Sequence, residues 1–163
     1  MTDNFTHIVD GRVHMVDISD KNTVTRQATA TGVIVLSRQT IDRIRKGLVE
    51  KGNVFSTARI AAILAVKRTP EIIPMCHQIP ISSVDVDLTI EGETVRSTVE
   101  VRSNARTGVE MEALNGVSTA LLTVWDMVKS AEKDSSGNYP DTVINDIRVV
   151  RKTKGNYEIR SQE

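Results

Sequence analysis

Two charged side chains lie three residues apart near the end of the longest helical pattern in the sequence. Asp126 and Lys129 therefore share one face of the predicted helix. A carboxylate beside an ammonium group stabilises both charges, and the two groups can exchange protons when burial shifts their pKa values. A plain surface salt bridge is the more common consequence of this spacing, so both interpretations stay open at this point.

A third charged residue, Lys51, stands just before the predicted start of another helix. It is followed by Gly52 and by Asn53, a good N-cap residue. The backbone N–H groups and the dipole at a helix N-terminus attract anions, and a glycine lets the backbone approach a phosphate closely. The segment does not match the P-loop pattern, and an ordinary exposed loop is the more common outcome.

The segment PMCH places Cys76 and His77 in a predicted loop that runs from Pro70 to Pro80. Prolines restrict the backbone, which favours a histidine held in position for a ligand. A half-buried histidine that hydrogen-bonds to the backbone is the slightly more common explanation. We expect no metal site, because the sequence has one cysteine, three histidines and neither a CxxC nor an HExxH pattern.

Glu112 lies fourteen residues before Asp126 in the sequence. At 100° per residue the two fall within about 40° of each other around a helix, which predicts a shared polar face. At 1.5 Å per residue they are about 21 Å apart along its axis. One small substrate is unable to reach both side chains of one helix. If both are functional, they serve opposite ends of an extended site or sites shared with another subunit.

The elements that must position these residues follow from the apolar pattern. A long amphipathic helix is predicted over Thr107–Asp134, with a capping box formed by Thr107 and Glu110. Its apolar stripe comprises Leu114, Val117, Leu121, Val124 and Val128.

Shorter patterns predict the other elements. They are a strand over 27–36, a helix capped by Ser37 with Ile41, Ile44 and Leu48 on its apolar face, a helix after Asn53 that ends at Thr69-Pro70, a hairpin with strands at 84–91 and 95–102, and a strand over 143–150. The second helix has a face of small residues, Ala58, Ala61, Ala62 and Ala65, which suits close packing within the chain or across an interface. This order predicts an α+β fold, an antiparallel β-sheet with helices packed on one face.

The composition of the chain limits the classes of protein to which it can belong. The 163 residues suit a single domain, with an extended arm at 1–26 and a polar tail at 152–163. Lysine plus arginine and aspartate plus glutamate both number 21, and aromatic residues are only 3%, which argues against nucleic-acid binding. The single cysteine, the absence of a signal-peptide pattern and the absence of an apolar run long enough to span a membrane predict a cytoplasmic protein.

Four segments in order resemble the cyclic pyranopterin monophosphate synthase family of molybdenum cofactor biosynthesis. They are HMVDISDKNTVTR, KGNVFSTARIAAILAVKRT, IPMCHQIPISSVDV and RTGVEMEALNGVSTALLTVWDMVKSAEKD. The resemblance implies a ferredoxin-like α+β fold, a homohexamer built as a trimer of dimers, and an active site at the dimer interface. It also implies a substrate, (8S)-3′,8-cyclo-7,8-dihydroguanosine 5′-triphosphate, that is converted to cyclic pyranopterin monophosphate with release of diphosphate.

The same resemblance assigns roles to residues. Its catalytic residues match Asp126, Lys51 and Lys129, and its substrate-binding segments match Met75, Cys76, His77, Met111 and Glu112. Lys21 and Arg26 fall in a similar basic region that is expected to contact phosphates. No cofactor is implied. Mg²⁺ accompanying the triphosphate stays open, since no dedicated carboxylate cage is evident.

Two other classes compete with an enzyme. A non-catalytic, oligomeric nucleotide sensor would need the phosphate-binding lysines but not the pair formed by Asp126 and Lys129. An RNA-binding sheet is the weaker alternative, because the formal net charge is zero.

Overall fold

A computed structural model of the chain describes residues 8–9 and 12–155. The described part contains six strands and four helices: β1 (Ile8–Val9), β2 (Arg12–Val13), β3 (Val24–Val35), α1 (Arg38–Arg45), α2 (Val54–Lys67), α3 (Thr69–Ile72), β4 (Ile81–Glu91), β5 (Thr94–Ala105), α4 (Glu110–Glu132) and β6 (Val143–Lys154).

The main sheet has the strand order β4-β5-β3-β6, and every neighbouring pair in it is antiparallel. Alternate residues of β4 and β5, such as Val86, Val99 and Val101, are buried under the helices, while the residues between them are more exposed. The prediction of an α+β fold with an antiparallel sheet and helices on one face is confirmed, and the arrangement is consistent with a ferredoxin-like fold.

Helices α2 and α4 pack closely on each other and on the sheet. A Cβ atom added at Gly116 of α4 would lie 2.9 Å from the Val66 side chain on α2 and 3.0 Å from the Val99 side chain on β5. The small-residue face of α2 is part of this core, where Ala58 and Ala62 are fully buried. The sequence left open whether this face packs within the chain or across an interface. In the structure it packs within the chain.

The two helix N-caps predicted from the local sequence are confirmed. Ser37 caps α1 by accepting a hydrogen bond from the Thr40 N–H, and Asn53 caps α2 by accepting one from the Ser56 N–H. Helix α1 ends before Leu48, which is 65% exposed. The prediction that Leu48 belongs to the apolar face of this helix is therefore wrong.

The proline-rich stretch is not entirely a loop. Pro70 lies in the first turn of the short helix α3, where a missing N–H costs no hydrogen bond.

The long helix begins later than the sequence indicated. Its N-cap is Val109, and in the described structure no side chain caps it, so the capping box of Thr107 and Glu110 is wrong. The Glu110 carboxylate instead accepts a hydrogen bond of 2.7 Å from Nζ of Lys152 on β6. The apolar stripe is confirmed: Val117, Leu121, Val124 and Val128 are buried, and Leu114 is partly buried against the core.

The sheet extends into both predicted terminal segments. Strand β3 begins at Val24, inside the predicted arm, and β6 continues to Lys154, inside the predicted polar tail. Arg26 and Lys154 are register partners across these two strands. Residues 14–23 form no helix or strand, and the rest of the two predictions, at 1–7, 10–11 and 156–163, lies outside the described residues. The helices of the described ranges are each too short or too polar to cross a membrane.

Candidate active site

One carboxylate is held between two lysines at the C-terminal end of α4. Lys129 Nζ lies 2.8 Å from Oδ1 of Asp126, and Lys51 Nζ lies 2.8 Å from Oδ2. Lys51 Nζ also donates to the backbone oxygen of Asp126 at 2.8 Å. Each carboxylate oxygen therefore has its own ammonium group, and the three side chains that the sequence singled out form one cluster.

Local structure explains how the loop lysine reaches the helix. Lys51 lies in the connection between α1 and α2, which turns where Gly52 N–H donates to the Val49 oxygen at 3.0 Å. Gly52 has φ = +99°, a conformation that L side chains rarely adopt, so a glycine is required at this turn. Asn53 then caps α2. The turn and the cap together direct the Lys51 side chain towards α4.

The lysines fix the charge state of the cluster. Hydrogen bonds from Lys129 and then from Lys51 lower the pKa of Asp126 to about 2. The same contact with Asp126 raises the pKa of Lys129. The side chains of Lys51, Asp126 and Lys129 are 47%, 56% and 48% exposed. At neutral pH the cluster therefore presents an ionised carboxylate and an ammonium group that stabilise each other's charge, both open to a ligand.

The five residues matched to substrate-binding segments lie together in a different place. They line a cavity of about 540 Å³ at the N-terminal end of α4. The members are Met75, Cys76, His77, Met111 and Glu112. Lys21 also lines this cavity and supplies a positive charge. The volume is in the range of pockets that hold small molecules.

Burial sets the electrostatics of this cavity. Glu112 is only 3% exposed; burial raises its pKa, and the neighbouring Glu110 charge raises it further. Burial also raises the pKa of the Cys76 thiol, with a contribution from the Glu112 charge. A hydrogen bond of 2.8 Å joins Nε2 of His77 to the backbone oxygen of Val16. The cavity therefore presents a buried carboxyl group whose pKa is raised, beside a histidine anchored to the backbone.

The predicted polar face shared by Glu112 and Asp126 is wrong. The Asp126 side chain is 56% exposed, whereas Glu112 is buried among the residues that line the cavity. A helical angle fixes the direction of a side chain, but here that direction leads into a cavity that residues of the His77 loop also line. The two sites remain about 21 Å apart along the helix.

The residues expected to meet across a subunit interface are partly brought together within one chain. Lys51 and Asp126 already touch in the single protomer, so these two do not need a second copy to meet. The loop that carries His77 is the part that remains separate from them. The chain thus holds two groups of candidate residues, one at each end of α4.

A further basic group borders the cavity and was missed as a cluster. Arg26, Lys152 and Lys154 line a smaller cavity of about 270 Å³ that shares Gly108 and Glu110 with the larger one. Nε of Arg26 is buried and has no hydrogen-bond partner among the residues described. The sequence named Arg26 only through the resemblance, since the pairing of β3 with β6 that joins it to Lys154 has no local signal.

Within residues 8–9 and 12–155, no three or more His, Cys, Asp or Glu side chains are grouped so that they could hold a metal ion.

Comparisons with known proteins cover almost the entire chain. The MoaC family profile matches residues 15–155. A probable cyclic pyranopterin monophosphate synthase of Methanosarcina mazei is 66% identical over 155 residues, 95% of this chain and 99% of the relative. A protein of the same description from Archaeoglobus fulgidus is 58% identical over 153 residues, 94% and 98% of the two chains. A Methanothermobacter thermautotrophicus relative, described as a probable cyclic pyranopterin monophosphate synthase accessory protein, is 55% identical over 150 residues, 92% and 94% of the two.

Proposed function

This chain belongs to the MoaC family, and we propose that it is a cyclic pyranopterin monophosphate synthase, a lyase of molybdenum cofactor biosynthesis. Its substrate is (8S)-3′,8-cyclo-7,8-dihydroguanosine 5′-triphosphate, and its products are cyclic pyranopterin monophosphate and diphosphate. The names and the near-complete coverage of the relatives support this assignment. The structural observation that carries it is the Asp126 carboxylate held between Lys51 and Lys129.

The cluster suits a reaction with several proton transfers. Opening and rebuilding a purine ring requires protons to be removed and returned at defined atoms. In our proposal Asp126 is the proton acceptor and Lys129 the proton donor, and they act when bound substrate replaces part of the contact that lowers the pKa of Asp126 and raises that of Lys129. The ammonium group of Lys51 stabilises the charge that develops as diphosphate leaves the α-phosphate. It stands beside the N-terminus of α2, which favours anions as well.

The second group of residues serves substrate binding. The cavity that contains Glu112 and His77 has the size for a small molecule, and Lys21 on its wall supplies a cation for a phosphate. Met75, Cys76 and Met111 supply the apolar and polarisable part of the lining. The buried carboxyl group of Glu112 on the cavity wall is available for a hydrogen bond to the base.

We further propose that a complete site forms between copies of the chain. The cavity and the lysine–aspartate cluster lie at opposite ends of α4, about 21 Å apart along its axis. Neither end alone combines the cavity residues with the ionised acid–base pair. A dimer that brings the cavity of one protomer to the cluster of the other would unite them, and a trimer of such dimers is the proposed homohexamer.

The proposal includes three simpler points. No cofactor is required, and any Mg²⁺ arrives with the triphosphate. The partners are the nucleotide-derived substrate and further copies of the chain, with no nucleic acid and no membrane. The location is the cytoplasm, in line with a single cysteine that is unable to form a disulfide within the chain.

A turnover assay with the cyclised nucleotide tests the proposed reaction. The wild-type protein is expected to release diphosphate and to form the pyranopterin product. Asp126→Asn keeps the size of the side chain but removes the proton acceptor, so it should retain nucleotide binding and lose turnover. Equal binding without turnover in both proteins would favour the nucleotide sensor instead. One relative is described as an accessory protein of the synthase, and that description supports keeping a non-catalytic role as the second candidate.

A further inference from the structure

A buried carboxylate closes the last turn of α4. Glu132 is 8% exposed, and its oxygens accept hydrogen bonds from two other segments. The Ser37 N–H lies 3.1 Å and 3.2 Å from the two oxygens, and the Ser37 hydroxyl donates at 2.8 Å. The Thr142 hydroxyl, just before β6, donates at 2.7 Å. One side chain thereby joins the end of α4 to the start of α1 and to the start of β6.

Glu132 holds its charge without an ion pair in the described part of the chain. Burial raises its pKa, but hydrogen bonds from Thr40, Thr142 and Ser37 outweigh that effect and leave the pKa below the usual value. Its position at the N-terminus of α1 also suits a negative charge. Burying a carboxylate costs free energy unless hydrogen-bond donors satisfy its oxygens. The burial of Glu132 therefore depends on its hydrogen-bond donors.

The segments that Glu132 joins are those that carry the cluster. Helix α1, capped by Ser37, leads through a short connection to Lys51. Glu132 itself lies six residues after Asp126 on α4, about 9 Å along the axis. The Lys51 ammonium then returns to the carboxylate and the backbone oxygen of Asp126. Glu132 and Lys51 are thus two separate points at which the α1 segment is tied to α4.

We propose that Glu132 is a positioning residue that fixes α1 against α4 and so holds the Lys51 ammonium at Asp126. This inference rests on the proposed function of Lys51 and Asp126, and it adds a residue that touches neither the reacting atoms nor the substrate. Without the Glu132 contacts, α1 retains its packing through the buried Ile41 but loses the hydrogen bonds that tie Ser37 to α4.

Crystal structures of Glu132 variants test the geometry directly. In Glu132→Ala the contact of 2.8 Å between Lys51 Nζ and Asp126 should be lost. Glu132→Gln keeps the length and an acceptor oxygen, so it should retain the contact. Glu132→Asp keeps the charge but is one methylene shorter, so it should no longer reach Ser37 and should also lose the Lys51 contact. This variant replaces the alanine variant if that one fails to fold. Val86→Ala, on the buried face of β4, is the control that lowers stability and retains the Lys51 contact.

Turnover of the cyclised nucleotide supplies the second readout. Misplacement of a reacting group by about 1 Å can reduce rates by about 100-fold, so Glu132→Ala should lower kcat about 10- to 100-fold with little change in KM. Glu132→Gln should restore most of kcat. In a Lys51→Ala background, Glu132→Ala should cause little further loss.

The outcomes are distinguishable from failure of the proposed function. If the wild type does not convert the nucleotide, the proposed reaction is wrong. The crystal structures still show whether Glu132 holds Lys51 at Asp126. An unchanged contact of Lys51 with Asp126 in folded Glu132→Ala or Glu132→Asp overturns the inference, and so does a kcat loss that adds fully to that of Lys51→Ala.

Discussion

Replacing Lys129 or Lys51 by methionine should raise the pKa of Asp126, because each lysine holds one oxygen of its carboxylate. With both lysines present the pKa is about 2, below the ordinary 3.8. The Lys129 hydrogen bond is the largest cause and the Lys51 hydrogen bond the next. Lys129→Met should therefore raise the pKa more than Lys51→Met, and the double variant should bring it close to 3.8.

A titration followed by carbon NMR of labelled aspartate carboxyl groups measures this directly. Asp126→Asn assigns the signal, and Asp134 is the internal control. Its pKa is lowered by hydrogen bonds from Ser136 and Asn138, and neither lysine contributes. The reasoning is refuted if Asp126 titrates at its ordinary pKa in the wild type, or if both single variants leave its pKa unchanged.

The same shift makes a prediction about acid stability. The pKa of Asp126 is lower in the folded than in the unfolded chain, so the contacts with Lys51 and Lys129 stabilise the fold above pH 3.8 and lose that effect as the pH falls towards 2. The double methionine variant should lose less stability across this interval than the wild type. Chemical denaturation at several pH values measures the difference.

Three further predictions concern the fold and the cavity. Gly116→Ala should lower stability by about 1–3 kcal/mol in thermal denaturation, because its Cβ would meet Val66 at 2.9 Å; an unchanged Tm would contradict the close packing of α4. Asn115→Ala should lower stability by about 1–2 kcal/mol, since Nδ2 donates to the Ala65 oxygen at 2.8 Å; denaturant unfolding checks this, and no loss would refute it. Glu112→Gln should lower the pKa of Cys76, which the pH dependence of thiol alkylation measures; an unchanged profile would exclude the coupling.

Local features of the sequence were sufficient to predict most elements. The caps at Ser37 and Asn53 depend on residues within one helical turn, and the apolar stripe of α4 depends on a period of 3.6 residues. The hairpin follows from alternation in two neighbouring strands and a short turn at Gly92. These signals require no knowledge of the tertiary structure.

Features that depend on distant segments of the chain could not be predicted from the sequence. The Glu110 carboxylate pairs with Lys152, 42 residues away, and the capping box that local spacing predicted does not form. The helical angle predicted a polar face for Glu112, but its side chain is buried and lines a cavity together with His77. The contact between Lys51 and Asp126 joins residues 75 apart. The spacing of residues along a helix predicts the direction of each side chain. Whether that side chain is buried or paired depends on the residues that other segments place next to it.

Complementation between inactive variants tests the shared site most directly. Lys51→Ala removes the cluster and Glu112→Ala alters the cavity, so each should be inactive alone. When the two are mixed with subunit exchange, half of the pairs are mixed and each has one intact site, which predicts recovery of about a quarter of the wild-type activity. Lys51→Ala mixed with Asp126→Ala should stay inactive, because both remove the same half. No recovery in the first mixture, with exchange verified, would contradict a site shared between copies.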